Sequence, residues 1–132
     1  MNTTLSLTDL TVAFYAAVLE QRVDDARAAL ADDVVLHVPG HHPLAGDHHG
    51  PDGLLAFLDR SAELAGHTQQ TELVDLMAGS RHVGAYVRVR AERPGRAPLD
   101  NLTVHVLRFE DGRIADIRFH NWDDDAVSAF WG

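Results

Sequence analysis

The chain has 132 residues, 45% of them hydrophobic, which is enough for one domain with its own hydrophobic core. Its formal net charge of −9 opposes nonspecific binding to nucleic acid, which needs a basic surface. The sequence contains no cysteine and no lysine, which excludes disulfides, thiolate nucleophiles and lysine Schiff bases. Acid–base chemistry would therefore have to come from His, Asp, Glu or Tyr.

The first residues, MNTTLSLTDL, contain neither a basic segment nor a long apolar run. They predict neither a signal peptide nor a membrane span. We find no repeat, linker or low-complexity tract, and we expect a single domain over residues 1–132. The expected location is the cytoplasm, with no nucleic-acid or membrane partner.

Helices dominate the first half of the chain. A helix over roughly 9–22, opened by Thr8 or Asp9, has apolar residues on nearly all sides, so we expect other elements to wrap around it. A short helix in DDARAALAD and a strand in DVVLHV follow. Residues 39–51 are rich in turn formers and predict a loop, and a third helix is expected from Pro51 or Asp52 to about residue 65.

Strands dominate the second half of the chain. The hydrophobic period changes from 3.6 to 2 and predicts four strands, near 68–78, 82–92, 98–109 and 113–122. A last helical segment, DDDAVSAFWG, follows them. This order predicts an α+β fold in which a curved sheet wraps around the first helix and encloses a cavity.

Alternation along the strands predicts which side chains face that cavity. In strand 82–92, Val83 and every second residue to Val89 are apolar and should face inward. Strand 98–109 is apolar on both faces, with His105 on one and with Val104 and Val106 on the other. Since one chain can cover only one of these faces, we expect a homodimer that contacts the face of Val104 and Val106.

Four segments resemble a known family: LADDVVLHVPG, PLAGDHHGPDGLLAFL, VHVLRFEDGRI and the final D-x-x-A-x-x-x-F. Together they are similar to the SnoaL-like branch of the nuclear-transport-factor-2-like superfamily, which includes polyketide cyclases and relatives of ketosteroid isomerase. The resemblance covers essentially the whole chain. It implies a cone-shaped, cystatin-like fold with a pocket, but it says little about the reaction, because this fold carries many unrelated activities.

The resemblance also implies site residues. Ketosteroid isomerases carry a tyrosine on the first helix as an oxyanion donor, where this chain has Tyr15, and a protonated aspartate at the position of His105. Their general-base aspartate ends the first strand, where this chain has Val38. Tyr15 and His105 could together bind a carbonyl oxygen that becomes an enolate, or they could simply satisfy each other's hydrogen bonds.

Candidates for the missing proton acceptor lie elsewhere in the sequence. Continued alternation from Phe119 places Asn121 and Asp123 inward, and SnoaL-type cyclases use a late-strand aspartate in acid–base catalysis. Asp123 could instead cap the final helix. His37 and His42 are further candidates as replacement base or substrate contact, although strand parity points His37 outward unless a bulge precedes Pro39.

Five of the nine histidines cluster near the turn-rich loop: His37, His41, His42, His48 and His49. With Asp47 they could bind a divalent metal. No established ligand spacing is present, however, so we expect solvated loop histidines and neither a metal nor a cofactor.

These observations favour a cofactor-independent enzyme that acts on a small, apolar carbonyl compound through an enolate, as an isomerase, a dehydratase or an aldol-type cyclase. The expected apolar wall consists of Val38, Leu54, Phe57 and Phe119. One alternative is a binding or accessory protein of the same fold without catalysis. Another is an epoxide hydrolase-like enzyme, which would need an Asp–Arg–Asp set around a water.

Overall fold

The structure is a computed structural model and describes residues 5–132. The helices are α1 (Leu7–Leu19), α2 (Val23–Ala28), α3 (Gly50–Leu64) and α4 (Asp124–Trp131). The strands are β1 (Leu30–Val38), β2 (Gly46–His49), β3 (Gln70–Ala78), β4 (His82–Ala91), β5 (Leu99–Glu110) and β6 (Arg113–Asn121).

The strands form one curved six-stranded sheet in the order β2-β1-β6-β5-β4-β3. β1 runs parallel to β6, and every other neighbouring pair is antiparallel. β5 has 12 residues and pairs along its length with both β4 and β6. The predicted α+β fold with a curved, mixed sheet is confirmed.

Helix α1 begins earlier than its sequence predicts. Ser6, and neither Thr8 nor Asp9, is the N-cap, because its side chain accepts from the Asp9 backbone while the Asp9 carboxylate accepts from the Ser6 backbone. The helix ends at Leu19, and Gln21 adopts a positive φ of 56°. The chain thus turns into α2 sooner than a helix over 9–22 would allow.

Only one side of α1 is buried. Phe14, Tyr15 and Ala17 contact the core, whereas Val12 is 47% exposed and Leu19 is 52% exposed. The expectation that this helix is buried on nearly all sides is therefore wrong. The helix lies against the concave face of the sheet, and among residues 5–132 its opposite side remains exposed.

The turn-rich segment 39–51 is not entirely a loop. Residues Gly46–His49 form β2, which pairs antiparallel with the end of β1. Gly50, with a φ of 73°, then begins α3, and Pro51 stands in its first turn, where a missing N–H costs no helical hydrogen bond.

Strand parity is as the sequence predicts. On β4 the side chains of Val83, Ala85 and Val87 are fully buried, and on β5 the face of His105 is buried as well. The opposite face of β5 is half-buried or exposed, and Leu102 on it is 39% exposed. Among residues 5–132, no helix is both long enough and apolar enough to cross a membrane.

Candidate ligand-binding cavity

A cavity of about 130 Å³ lies between α1, α3 and the concave face of the sheet. Most of its wall is apolar, and it includes the four apolar residues that the sequence predicts for it, namely Val38, Leu54, Phe57 and Phe119. The polar residues on the wall are Tyr15, His42, Ser61, Gln69, Thr71, Asn101, Thr103, His105 and Asn121. Within the described chain, no Asp, Glu or Arg contributes to this wall.

Tyr15 and His105 meet on the cavity wall. The Tyr15 hydroxyl lies 2.6 Å from Nδ1 of His105, and the His105 ring stacks on Phe119 with centroids 3.9 Å apart. Burial lowers the pKa of His105 to about 3 and raises the pKa of Tyr15 above its usual 10. Both groups are therefore neutral near pH 7.

The protons of this neutral pair have two possible arrangements. If the Tyr15 hydroxyl donates to Nδ1 of His105, the neutral imidazole carries its proton on Nε2. If Nδ1–H donates to the Tyr15 oxygen instead, Nε2 is an acceptor and the Tyr15 O–H is the donor available to the cavity.

Nε2 of His105 faces the cavity. This nitrogen has no hydrogen-bond partner within residues 5–132, yet the same part of the chain contains no buried side-chain nitrogen or oxygen that lacks one. Nε2 must therefore contact open space, and the space beside His105 is the cavity. Of the two expectations for this pair, the structure shows the one in which Tyr15 and His105 bond to each other.

Asp123 does not lie on the cavity wall. Strand β6 ends at Asn121, and Asp123 is the exposed N-cap of α4, where its Oδ1 accepts from the Ala126 backbone at 3.0 Å. The expectation of an inward Asp123 is wrong because the alternation of strand side chains stops where the strand stops.

His37 also lies outside the cavity, on the outer face of the sheet. Its Nδ1 lies 2.7 Å from Asp47 and its Nε2 lies 2.7 Å from Asp116. Burial lowers the pKa of His37, but its hydrogen bonds to Asp116 and Asp47 outweigh that effect, so the pKa is raised above 6.5. The predicted role of His37 as replacement base does not fit this outward position.

His42 and Asn121 do lie on the wall. Nδ1 of His42 accepts from the Leu44 backbone and its Nε2 contacts the Pro39 carbonyl, both at 3.2 Å. Burial lowers the pKa of His42. His42 is therefore a neutral ring whose two nitrogens are already used by the backbone of its own loop.

The sequence argument missed Asn101, which is buried on β5 and lines the cavity. The signal was present, because Asn101 has the same strand parity as His105.

The histidine-rich segment does not assemble a metal site in the described chain. Nε2 of His48 contacts the Leu44 carbonyl at 2.9 Å, and His37 is held between two carboxylates. Among residues 5–132 no three His, Asp or Glu side chains are arranged to hold a metal ion.

Helices packed on a curved sheet, with a mainly apolar cavity between them, define the class of protein. The sequence profile of the SnoaL-like domain matches residues 11–117, and the chain belongs to this family. Uncharacterized proteins of Mycobacterium tuberculosis and Mycobacterium bovis are 32% identical to it over 124 residues, which cover 93% of this chain and 94% of theirs.

Solved structures support the same fold. Bal32a, from a soil-derived mobile gene cassette, superposes with a TM-score of 0.89 at 28% identity and covers 95% of both chains. A cystatin-like protein of unknown function from Xanthomonas campestris has a TM-score of 0.88 at 26% identity, covering 97% of this chain and 99% of its own. An NTF2-like protein from Burkholderia xenovorans has a TM-score of 0.74 at 20% identity, covering 92% of this chain and 91% of its own. At this identity the similarity supports the fold alone.

Proposed function

We propose that this protein binds a small, mainly apolar carbonyl compound in the cavity, and that the carbonyl oxygen accepts a hydrogen bond from Nε2–H of His105. The proposal assigns the Nε2–H tautomer to His105, and the observation that carries it is the 2.6 Å contact between the Tyr15 hydroxyl and Nδ1 of His105 in a mainly apolar wall. A ligand that seals this donor from water without offering an acceptor leaves it unpaired at a cost, so a ligand that supplies an acceptor binds more tightly than one that does not.

The apolar wall makes this donor effective. Hydrogen bonds strengthen where water is excluded, and the stacking of His105 on Phe119 fixes the ring. A fixed donor of this kind stabilises developing negative charge on a carbonyl oxygen by about 3 kcal/mol in known enzymes. The cavity is therefore suited to polarise a carbonyl as well as to bind it.

The second candidate is an enzyme that acts through the enolate, as an isomerase, a dehydratase or an aldol-type cyclase. The donor at His105 favours it, because enolates need such a donor. The proton acceptor is the weak point: the pKa of His105 is about 3, and the nitrogens of His42 are used by the backbone. Since no Asp or Arg of the described chain lines the cavity, nothing supports the epoxide hydrolase-like alternative.

A matched pair of probes tests the binding proposal. Acetophenone has a carbonyl on an apolar ring, and ethylbenzene has similar size without the oxygen. We expect acetophenone to bind about two- to tenfold more tightly than ethylbenzene, as one net hydrogen bond predicts. His105→Phe should remove this preference, whereas His49→Phe, at the exposed end of β2, should keep it. Equal binding of both probes to the unmodified protein would refute the proposal.

Exchange of the α protons separates binding from catalysis. If the protein forms an enolate, the methyl protons of acetophenone should exchange with D₂O faster in its presence, as NMR can measure. Exchange that His105→Phe abolishes would support the enzyme, and binding without exchange would support a binding protein.

We further propose that the protein is a single domain that forms a homodimer through the outer face of β5. Val104 and Val106 on this face are only half-buried, and Leu102 and Trp122 beside them are exposed, Trp122 by 88%. The backbone N–H of Trp122 donates to the Leu102 carbonyl, which brings these two residues together. An apolar surface of this kind is typical of a protein interface.

A further inference from the structure

Three side chains form a hydrogen-bonded relay from the cavity to the surface. Nδ2 of Asn101 donates to Oδ1 of Asn121 at 2.9 Å, and Nδ2 of Asn121 donates to Oδ1 of Asp124 at 3.0 Å. Asn101 is buried on β5, Asn121 is half-buried at the end of β6, and Asp124 is exposed in the first turn of α4. Both asparagines line the cavity.

The carboxylate of Asp124 fixes the direction of the whole relay. An ionised carboxylate can only accept, so Asn121 must turn its NH₂ group toward Asp124 and its carbonyl oxygen toward Asn101. Asn101 must then turn its own NH₂ group toward Asn121. The remaining atom of that amide, Oδ1 of Asn101, is an acceptor whose orientation is set from outside the cavity.

This Oδ1 is free to meet a ligand. It has no hydrogen-bond partner within residues 5–132, and no buried side-chain oxygen in that part of the chain lacks one, so it contacts open space. Asn101 lies on the concave face of β5, and that space is the cavity. An acceptor in an apolar wall favours a ligand that brings a hydrogen-bond donor.

The β5 side of the cavity wall therefore carries an acceptor at Asn101 and the proposed donor at His105. Asn101 and His105 are four residues apart on the same face of β5, about 13 Å along the strand at the usual rise per residue. Thr103 lies between them, but its hydroxyl lies 3.2 Å from the His120 carbonyl and is used there. The rest of the wall is mainly apolar.

We propose that the ligand is a hydroxy-carbonyl compound, whose hydroxyl donates to Oδ1 of Asn101 while its carbonyl oxygen lies at His105. The inference rests on the proposed function for the carbonyl end only. A cationic donor does not fit, because within the described chain no carboxylate lines the cavity to balance its charge. Asn101 is thus a specificity-determining residue, and Asp124 is a positioning residue that acts through Asn121.

The test compares acetophenone with its 4′-hydroxy and 4′-methoxy derivatives. Both substituents donate electrons to the ring, but only the hydroxyl can donate a hydrogen bond. We expect the hydroxy compound to bind about two- to tenfold more tightly than the methoxy compound. Asn101→Leu, an apolar residue of similar size, should abolish this preference. Equal affinities for the two derivatives in the unmodified protein would overturn the inference.

Asp124→Asn provides a second variant at an exposed position, where folding is not at risk. An amide at 124 can donate as well as accept, so Asn101 is no longer held in one orientation and the preference for hydroxyl over methoxy should fall toward one. Asp125→Asn is the matched control, because it removes the same charge from the first turn of α4 without contacting Asn121. A preference that survives Asp124→Asn would show that the relay does not orient Asn101.

The outcomes separate this inference from the proposed function. If acetophenone binds no better than ethylbenzene but the hydroxyl preference depends on Asn101, the proposed carbonyl contact at His105 is refuted and the hydroxyl contact at Asn101 is supported. If acetophenone is preferred and the hydroxyl gives no advantage, the proposed function stands and this inference fails.

Discussion

The buried imidazole of His105 should make the stability of this protein depend on pH in a way that one substitution removes. Burial lowers the pKa of His105 to about 3 in the folded state, against an ordinary value of 6.5. Below pH 6.5 the unfolded chain binds a proton at this residue and the folded chain does not. The contribution of His105 to the free energy of unfolding is therefore fully present above pH 6.5 and is lost as the pH falls toward 3.

The magnitude follows from the difference in pKa. Each pH unit below 6.5 shifts the balance by about 1.4 kcal/mol, so at pH 5 the folded state should lose about 2 kcal/mol through His105 alone. Urea unfolding at pH 7 and at pH 5 measures this loss in the unmodified protein and in His105→Phe. The other histidines are present in both proteins and cancel in the comparison.

At pH 7, His105→Phe should be less stable than the unmodified protein, because it leaves the buried Tyr15 hydroxyl without its partner, at a cost of about 1–3 kcal/mol. Its loss of stability between pH 7 and pH 5 should be smaller by about 2 kcal/mol, so at pH 5 the two proteins should be of similar stability. His49→Phe, which removes an exposed histidine at the end of β2, should keep the full loss. The same pH dependence in His105→Phe and in the unmodified protein would refute the reasoning, since His105 would then titrate in the folded state.

Three further predictions concern the cap of α4, the oligomeric state and the metal content. Asp123→Ala should lower the free energy of unfolding by about 1 kcal/mol through the lost cap of α4, without changing the affinity for acetophenone; weaker binding would argue against a purely capping role. Sedimentation at micromolar concentration should show a dimer that Val104→Glu converts to a monomer, and a monomeric unmodified protein would contradict the proposed interface. Elemental analysis of protein purified without a histidine tag should find no stoichiometric zinc, nickel or iron, and one equivalent retained after chelation would make His41, His42, His48 and His49 candidate ligands.

Local sequence patterns were enough to predict much of the fold. Alternation along β4 and β5 predicts which side chains face the core because side-chain direction in a strand depends only on position, and His105 is buried on the predicted face. The helices of the first half were recognisable in the same way, although their ends were not. The start of α1 depends on the reciprocal hydrogen bonds of Ser6 and Asp9, which the sequence permits but does not select over Thr8.

The wrong predictions concern segments whose structure depends on contacts with other elements and not on the local sequence pattern. β2 has only four residues in a turn-rich segment, and it is a strand because β1 lies beside it to complete its hydrogen bonds. In the sequence Asp123 continues the alternation of β6. The strand ends at Asn121, however, and the Asp123 carboxylate accepts a hydrogen bond from the backbone of α4 instead.

By itself, the sequence determined the fold class, the inward faces of β4 and β5 and an apolar pocket that includes Tyr15 and His105, since these follow from periodicity and from resemblance to a family. Only the tertiary structure decided what the polar groups in that pocket can do. Tyr15 and His105 are 90 residues apart, and the tautomer of the ring depends on the distance between them. The orientation of Asn101 likewise depends on Asp124, a residue on another element, because a hydrogen bond assigns donor and acceptor only once both groups are in place.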